Sequence, residues 1–144
     1  MKNSGPGKAL IVDDEKTYRL VLKALLVKQG YQVVEAENGQ QAVDLFRREH
    51  PSIVFMDIMM PVLDGYQATR QIKAAAGNRF VPVIFLTALN NENALAECID
   101  AGGDDFLVKI GAVDTLVPRV DYWAGSGKRR LDEAKRRQVL KEIE

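Results

Sequence analysis

The chain has 144 residues, 47% of them hydrophobic, with 20 acidic and 20 basic side chains in balance. That length fits one domain with a buried core, and no apolar run approaches the roughly 20 residues of a membrane span. One cysteine, Cys98, excludes an internal disulfide, and one histidine, His50, is too few for a His-rich metal centre.

The polar start MKNSGPGK has no apolar h-region, so no secretory leader is expected, and the single thiol fits a cytoplasmic setting. A first strand is expected over Ala9–Asp13, followed by a helix over Glu15–Lys28 that Gly30 ends. Tyr31–Glu35 alternates in the manner of a strand near a sheet edge. Asn38-Gly39 signals a turn, and Gln40–Glu49 reads as helix, with His50 beyond its end. Ser52–Asp57 is the third strand and Gly65–Ala75 the third helix. Val81–Thr87, entered through Pro82, is the fourth strand, and Asn91–Ala101 the fourth helix. Phe106–Lys109 closes the series as a fifth strand, with a last helix somewhere within Val113–Trp123.

Five alternations of strand and helix with short connections imply an α/β fold with a parallel sheet covered on both faces. A flavodoxin-like (βα)5 arrangement with strand order 2-1-3-4-5 is the expected solution. The strands are short, apolar and β-branched, as buried parallel strands are. Their carboxyl ends carry Asp13 and Asp14, Asp57, Thr87 and Lys109. Loops at that edge of an open α/β sheet form a crevice, so these groups are expected to converge. Three crowded carboxylates repel one another, and a divalent cation relieves the repulsion. An all-oxygen donor set with few protein ligands favours Mg²⁺, which is often shared with a phosphate. Asp57 is then the natural nucleophile toward phosphorus, Lys109 supplies a second positive charge, and Thr87 a hydrogen bond.

From about Lys8 to Trp123 the sequence resembles the receiver domain of two-component response regulators. IVDDE is similar to the acidic pair of that family, and DIMMPVLDG (Asp57–Gly65) to its D-x-x-M-P-x-x-D-G phosphoacceptor motif. Thr87-Ala88 matches its Thr/Ser-Ala step, and Lys109 its lysine. The resemblance implies that Asp57 takes a phosphoryl group from a sensor histidine kinase or phosphotransfer protein. It implies that Asp13, Asp14, Asp57 and the Met59 carbonyl hold Mg²⁺, and that Thr87 and Lys109 read the phosphoryl group. Such a protein is a phosphoacceptor that takes part in its own phosphorylation and dephosphorylation, not an enzyme acting on others. Thr87 and Phe106 occupy the positions of a switch that alters the surface of helix four, strand five and helix five. Plain core packing is the other reading of Phe106. Met59 and Leu89 stand where the family tunes attack by water, and both are apolar, which implies a long-lived aspartyl phosphate.

Two features depart from the family pattern. Ile110 follows Lys109 where proline is usual, so either a trans peptide with a reshaped loop or a strained cis exception is expected. Pro118 falls inside the expected last helix and is expected to kink or shorten it.

Two rival motifs are present in part. GGDDF (Gly102–Phe106) is close to a diguanylate cyclase signature, although the chain is too short for the rest of that domain. Asp13, Glu15 and Thr17 mimic the D-x-D-x-T of haloacid-dehalogenase-type phosphatases, with Asp104-Asp105 as a last acidic pair. A receiver that binds partners without being phosphorylated is a third alternative.

Residues 8–123 are thus expected to form the receiver. Residues 124–144 are expected to be a flexible joint (Ala124-Gly125-Ser126-Gly127) and a basic helical tail, or a linker to an output domain. Residues 128–144 hold seven Lys/Arg against four acids, leaving residues 1–127 with a net charge of −3. A charge run of this kind is ordinarily a solvated helix face, so no direct nucleic-acid binding is expected. A downstream effector or fused output domain is implied as partner, no membrane is, and a homodimer stays open.

Overall fold

The computed structural model describes residues 7–88, 92–109 and 117–126, and Lys141. Ten elements alternate along them. They are β1 (Lys8–Val12), α1 (Lys16–Lys28), β2 (Gln32–Ala36), α2 (Gly39–Glu49), β3 (Ile53–Met56), α3 (Gly65–Ala76), β4 (Val83–Thr87), α4 (Glu92–Asp100), β5 (Asp105–Val108) and α5 (Val117–Ser126). The strands form one parallel sheet in the order β2-β1-β3-β4-β5, as the alternation of the sequence implies.

The period of two along each strand sorts side chains onto two faces. Leu10, Val12, Val54, Met56, Val83, Phe85 and Phe106 pack with α2, α3 and α4. Ala9, Ile11, Ile53, Phe55, Ile84 and Leu86 pack with α1 and α5. Each large side chain so removed from water contributes about 1.5–3 kcal/mol, which favours the parallel core over any exposed alternative. β2 lies at an edge and is only half-buried, which explains its alternating sequence. In α1, Leu22 and Leu26 are buried one turn apart, whereas Leu20 and Val27 face outward.

The starts of α2 and α3 are fixed by side chains close to the site edge of the sheet. Asn38 Oδ1 accepts from Gln41 N at 2.9 Å to cap α2, and Asp64 Oδ1 accepts from Gln67 N at 2.9 Å to cap α3. His50 closes α2 in the left-handed conformation (φ 51°) and is a terminating residue.

One expectation about the last helix is corrected. The helix runs through Ala124, Gly125 and Ser126, three of the four residues expected to form a flexible joint. Pro118 lies within α5 (Val117–Ser126), and residues 110–116 before it, where the effect of the proline on the helix would be read, lie outside the described residues. The loop at Ile110 and, apart from Lys141, the basic tail lie outside the described residues.

The acidic pair of GGDDF lies at the amino end of β5, the edge of the sheet opposite the crevice. Asp104 Oδ2 accepts from Lys73 Nζ at 2.6 Å and from Val83 N at 2.9 Å. The next residue points to the other face. Asp105 accepts from Trp123 Nε1 at 2.8 Å and from its neighbour Phe106 N at 2.8 Å, and it pairs with Arg119. Both carboxylates are buried structural anchors, one for α3 and one for α5, which takes from the cyclase reading its signature acids and from the dehalogenase reading its last acidic pair.

Replacing Asp105 with alanine strands the Trp123 and Arg119 donors. The expected outcome is a loss of about 2–4 kcal/mol of unfolding free energy. Denaturant titration followed by the fluorescence of Trp123, the chain's one tryptophan, checks this.

Candidate functional site

β1, β3 and β5 each extend their ladder by one polar residue. Asp13 N donates to Ala36 O at 3.1 Å, Asp57 N to Val12 O at 2.9 Å, and Lys109 N to Thr87 O at 2.7 Å. The expected residues therefore stand just past the strand ends, held by backbone bonds. They open onto a cleft of about 440 Å³ lined by Asp13, Asp14, Asp57, Met59, Thr87 and Lys109, with Glu15 and Ala88. Every residue predicted for the acidic site is in this cleft.

Asp13 and Asp57 are nearly buried, at 2% and 7% exposure, and Asp14 is exposed. One carboxylate oxygen from each lies within 4.8 Å of the others. Burial, then the charge of Asp13, pushes the Asp57 carboxyl up to about 6, against the opposing pull of Lys109 and of the Ile58 N–H. Asp13 is the better compensated of the two. Its Oδ1 accepts from Glu15 N at 2.9 Å, and its Oδ2 pairs with Lys109 Nζ. Asp57 Oδ1 accepts from Ile58 N at 2.8 Å, while its Oδ2 is 3.6 Å from Lys109 Nζ. Three clustered carboxylates, two of them buried, form an all-oxygen donor set that fits a hard divalent cation.

Thr87 ends β4 and is buried. By register it shares a sheet face with Phe85, Phe106 and Val108. Phe106 is itself buried among the side chains that face α3 and α4. Met59 overhangs the cleft at 65% exposure, and Leu89 lies outside the described residues.

The loop after Asp57 is tightly folded. Gly65 N donates back to Ile58 O at 2.9 Å, and a Cβ on Gly65 would fall 2.1 Å from the Asp57 carbonyl oxygen. Leu63 N donates to Pro61 O at 2.8 Å across Val62, whose φ is +72°. This is a three-residue γ-turn, and a β-branched residue at its centre is strained.

Sequence reasoning did not single out Tyr18 or Arg19. Tyr18, Leu22 and Leu26 form an i, i+4, i+8 ridge toward the sheet, and the Tyr18 ring lies 4.4 Å from Lys109 Nζ. Burial and the charges of Asp13 and Asp57 push the Tyr18 phenol up to about 12, so it stays neutral. Arg19 Nη1 donates to Asp13 O at 2.6 Å, and its Nε to Glu35 Oε1 at 3.3 Å, which ties α1 to β1 and β2. That ridge and a basic residue four past Glu15 are the signals that could have found them.

Val62 is 80% exposed and loses little packing on truncation. Val62→Gly is therefore expected to raise stability by about 1 kcal/mol through relief of the positive φ, measured as a shifted denaturation midpoint. A second expectation concerns Asp57. Its raised folded-state value means that the folded protein holds this proton longer than the unfolded chain between pH 4 and 6. Its contribution therefore falls as pH rises through that window and stays low above it. Without metal, Asp57→Asn is expected to stabilise the protein by about 1–2 kcal/mol at pH 7.5, discounted for the water-facing side of the carboxylate. The gain should shrink toward pH 4, and thermal melts across that range check it.

Comparison with known proteins places these features in context. The family model for the response regulator receiver domain matches residues 9–121. Protein PilH of Pseudomonas aeruginosa is 41% identical over 114 residues, which cover 79% of this chain and 94% of PilH. A probable transcriptional regulator, ycf27, of Porphyridium aerugineum is 37% identical over 127 residues, 88% of this chain and 50% of that protein. This chain spans about half the length of the ycf27 relatives it matches. Among solved structures, the receiver domain of the sensor histidine kinase PA1611 from Pseudomonas aeruginosa PAO1 superimposes with a TM-score of 0.76 at 36% identity. The match covers 85% of this chain and all of that one, whose active-site cleft holds a coordinated magnesium ion. A sheet of this order, an acidic cleft at its carboxyl edge and these matches agree: the chain belongs to the response regulator receiver domain family of two-component signalling.

Proposed function

We propose that Asp57 accepts a phosphoryl group from a phosphohistidine of a sensor histidine kinase or phosphotransfer protein. The observation that carries this reading is the contrast between the two buried carboxylates. Asp13 is paired with Lys109, whereas Asp57 is crowded, raised to about 6, and open to the cleft through Oδ2. In the transfer a bond forms between an Asp57 oxygen and phosphorus. The phosphorus–nitrogen bond of the donor breaks, and its electron pair leaves with the imidazole. Asp57 must be ionised to attack, and at neutral pH a carboxyl near 6 is mostly so.

Asp13, Asp14, Asp57 and the Met59 carbonyl would hold Mg²⁺, and this donor set fits it. When bound, the ion supplies positive charge to the phosphoryl oxygens and relieves the carboxylate repulsion. Lys109 lies 3.6 Å from Asp57 Oδ2 and is placed to meet a phosphoryl oxygen there, with Thr87 donating from the neighbouring strand. Met59 and Leu89 offer no group to orient an attacking water, which favours a long-lived aspartyl phosphate.

Phosphorylation adds about 1.5–2 negative charges beside Thr87 and Lys109. We read Thr87 and Phe106, on one sheet face with α4, as the relay to the surface of α4, β5 and α5. That surface would serve a downstream effector, a fused output domain or a second copy. Among the described residues no helix is long and apolar enough to cross a membrane.

Incubation with acetyl phosphate and Mg²⁺, read by intact mass, tests the reading. The expected outcome is a gain of one phosphoryl group that is lost in Asp57→Asn and lost without the metal. No gain by the unmodified chain would overturn it and leave a binding module with an acidic cleft.

A further inference from the structure

Lys109 ends a flexible four-carbon stem, and such a side chain carries about 2 kcal/mol of rotamer entropy. Its ammonium nevertheless occupies one defined place. It pairs with Asp13 Oδ2, lies 3.6 Å from Asp57 Oδ2, and faces the Tyr18 ring at 4.4 Å from the centroid. The side chain is only 12% exposed. Tyr18 belongs to α1 and packs against the core side chains that face α1 and α5, so the ring is anchored from behind. Alternation explains why these groups meet. Asp13, Asp57 and Lys109 continue the strand positions that point toward α1 and α5, and Tyr18 is the residue of the α1 ridge nearest the strand ends.

We propose that Tyr18 is a positioning residue for phosphoryl transfer, its ring face holding the Lys109 ammonium between Asp13 and Asp57. The proposal rests on the reading of Asp57 as phosphoacceptor. Tyr18 moves no proton. The ring contributes by keeping the ammonium where charge develops, so that no search over rotamers precedes the reaction. A phenyl ring serves as well as a phenol, whereas an aliphatic side chain of similar bulk fills the space without the attraction.

Phosphorylation by acetyl phosphate at saturating Mg²⁺ is followed by intact mass for the unmodified chain, Tyr18→Phe, Tyr18→Leu, Lys109→Met and the Tyr18→Leu/Lys109→Met pair. Tyr18→Leu is expected to slow the reaction by roughly threefold to thirtyfold, the rate equivalent of a desolvated cation–π contact. Tyr18→Phe should stay within about twofold of the unmodified chain on the same ground. In the Lys109→Met background Tyr18→Leu should add nothing, because the partner is gone. Equal rates for the unmodified chain and Tyr18→Leu overturn the proposal, and so does a Tyr18→Leu effect that persists without Lys109. Tyr18→Met replaces Tyr18→Leu if the latter fails to fold. Proton spectra give a readout independent of the chemistry. The Lys109 Hε resonances are expected upfield in the unmodified chain and Tyr18→Phe but not in Tyr18→Leu, and identical positions in all three overturn the proposal. If even the unmodified chain takes no phosphoryl group, the reading of Asp57 fails while these resonances still decide whether Tyr18 holds Lys109.

Discussion

Like charges buried at the carboxyl ends of β1 and β3 set the conditions for everything else at this edge of the sheet. The parallel ladder leaves no freedom in the matter, since Asp57 N bonds to Val12 O at 2.9 Å and brings the two strand ends level. In surroundings of low dielectric the carboxylates repel strongly, and among the described residues one ammonium, that of Lys109, answers two of them. Lys109 goes to Asp13 and leaves Asp57 at 3.6 Å. Burial first, and this repulsion second, leave Asp57 a carboxyl whose charge is disfavoured by its own fold. Any cation entering the cleft lowers that cost, so the site is built to welcome one.

The opposite edge shows what the same residue type does when compensated in full. Asp104 has Lys73 and the Val83 N–H, and Asp105 has Arg119, Trp123 and the Phe106 N–H. Both are as buried as Asp13, and each binds a helix to the sheet. Consecutive residues on a strand point to opposite faces, so two adjacent aspartates anchor one helix on each side. The molecule is thus satisfied at one edge and under-compensated at the other. Stability drawn from the first offsets the repulsion tolerated at the second.

Much of this was legible in the sequence because it rests on local pattern. Period-two and period-3.6 alternation gave ten elements, and the rule that parallel strands gather their functional groups at one end brought Asp13, Asp14, Asp57, Thr87 and Lys109 together. What stayed hidden depends on tertiary geometry. GGDDF offered its aspartates to two catalytic motifs, and only the packing of α3 and α5 shows them as anchors. The positive φ of Val62 was unreadable, since valine is among the residues least suited to it. Tyr18 was one aromatic on an apolar ridge, and its position beside Lys109 follows from the packing of α1 on β1 and the reach of the Lys109 side chain back to Asp13.

The site also straddles the sheet, and that bears on how a change at Asp57 could travel. Asp13, Asp57 and Lys109 lean toward α1 and α5, where Tyr18 covers the lysine. Thr87 lies on the other face, in line with Phe85 and Phe106 and against α3 and α4. On the proposed reading, charge added at the middle strand would draw on both layers at once, on the lysine from one side and the threonine from the other. Phe106 is already buried, so no outside ring has to enter the core for the second layer to respond. A shift of Thr87 toward Asp57 would instead loosen the packing against α4 from within. Lys109 is covalently the next residue after β5, and Asp105 at the far end of that strand holds α5 through Trp123. On the proposed reading, a pull on Lys109 would be applied to a strand whose other end is fixed, and β5 would be the lever between the acidic cleft and the α4–β5–α5 surface.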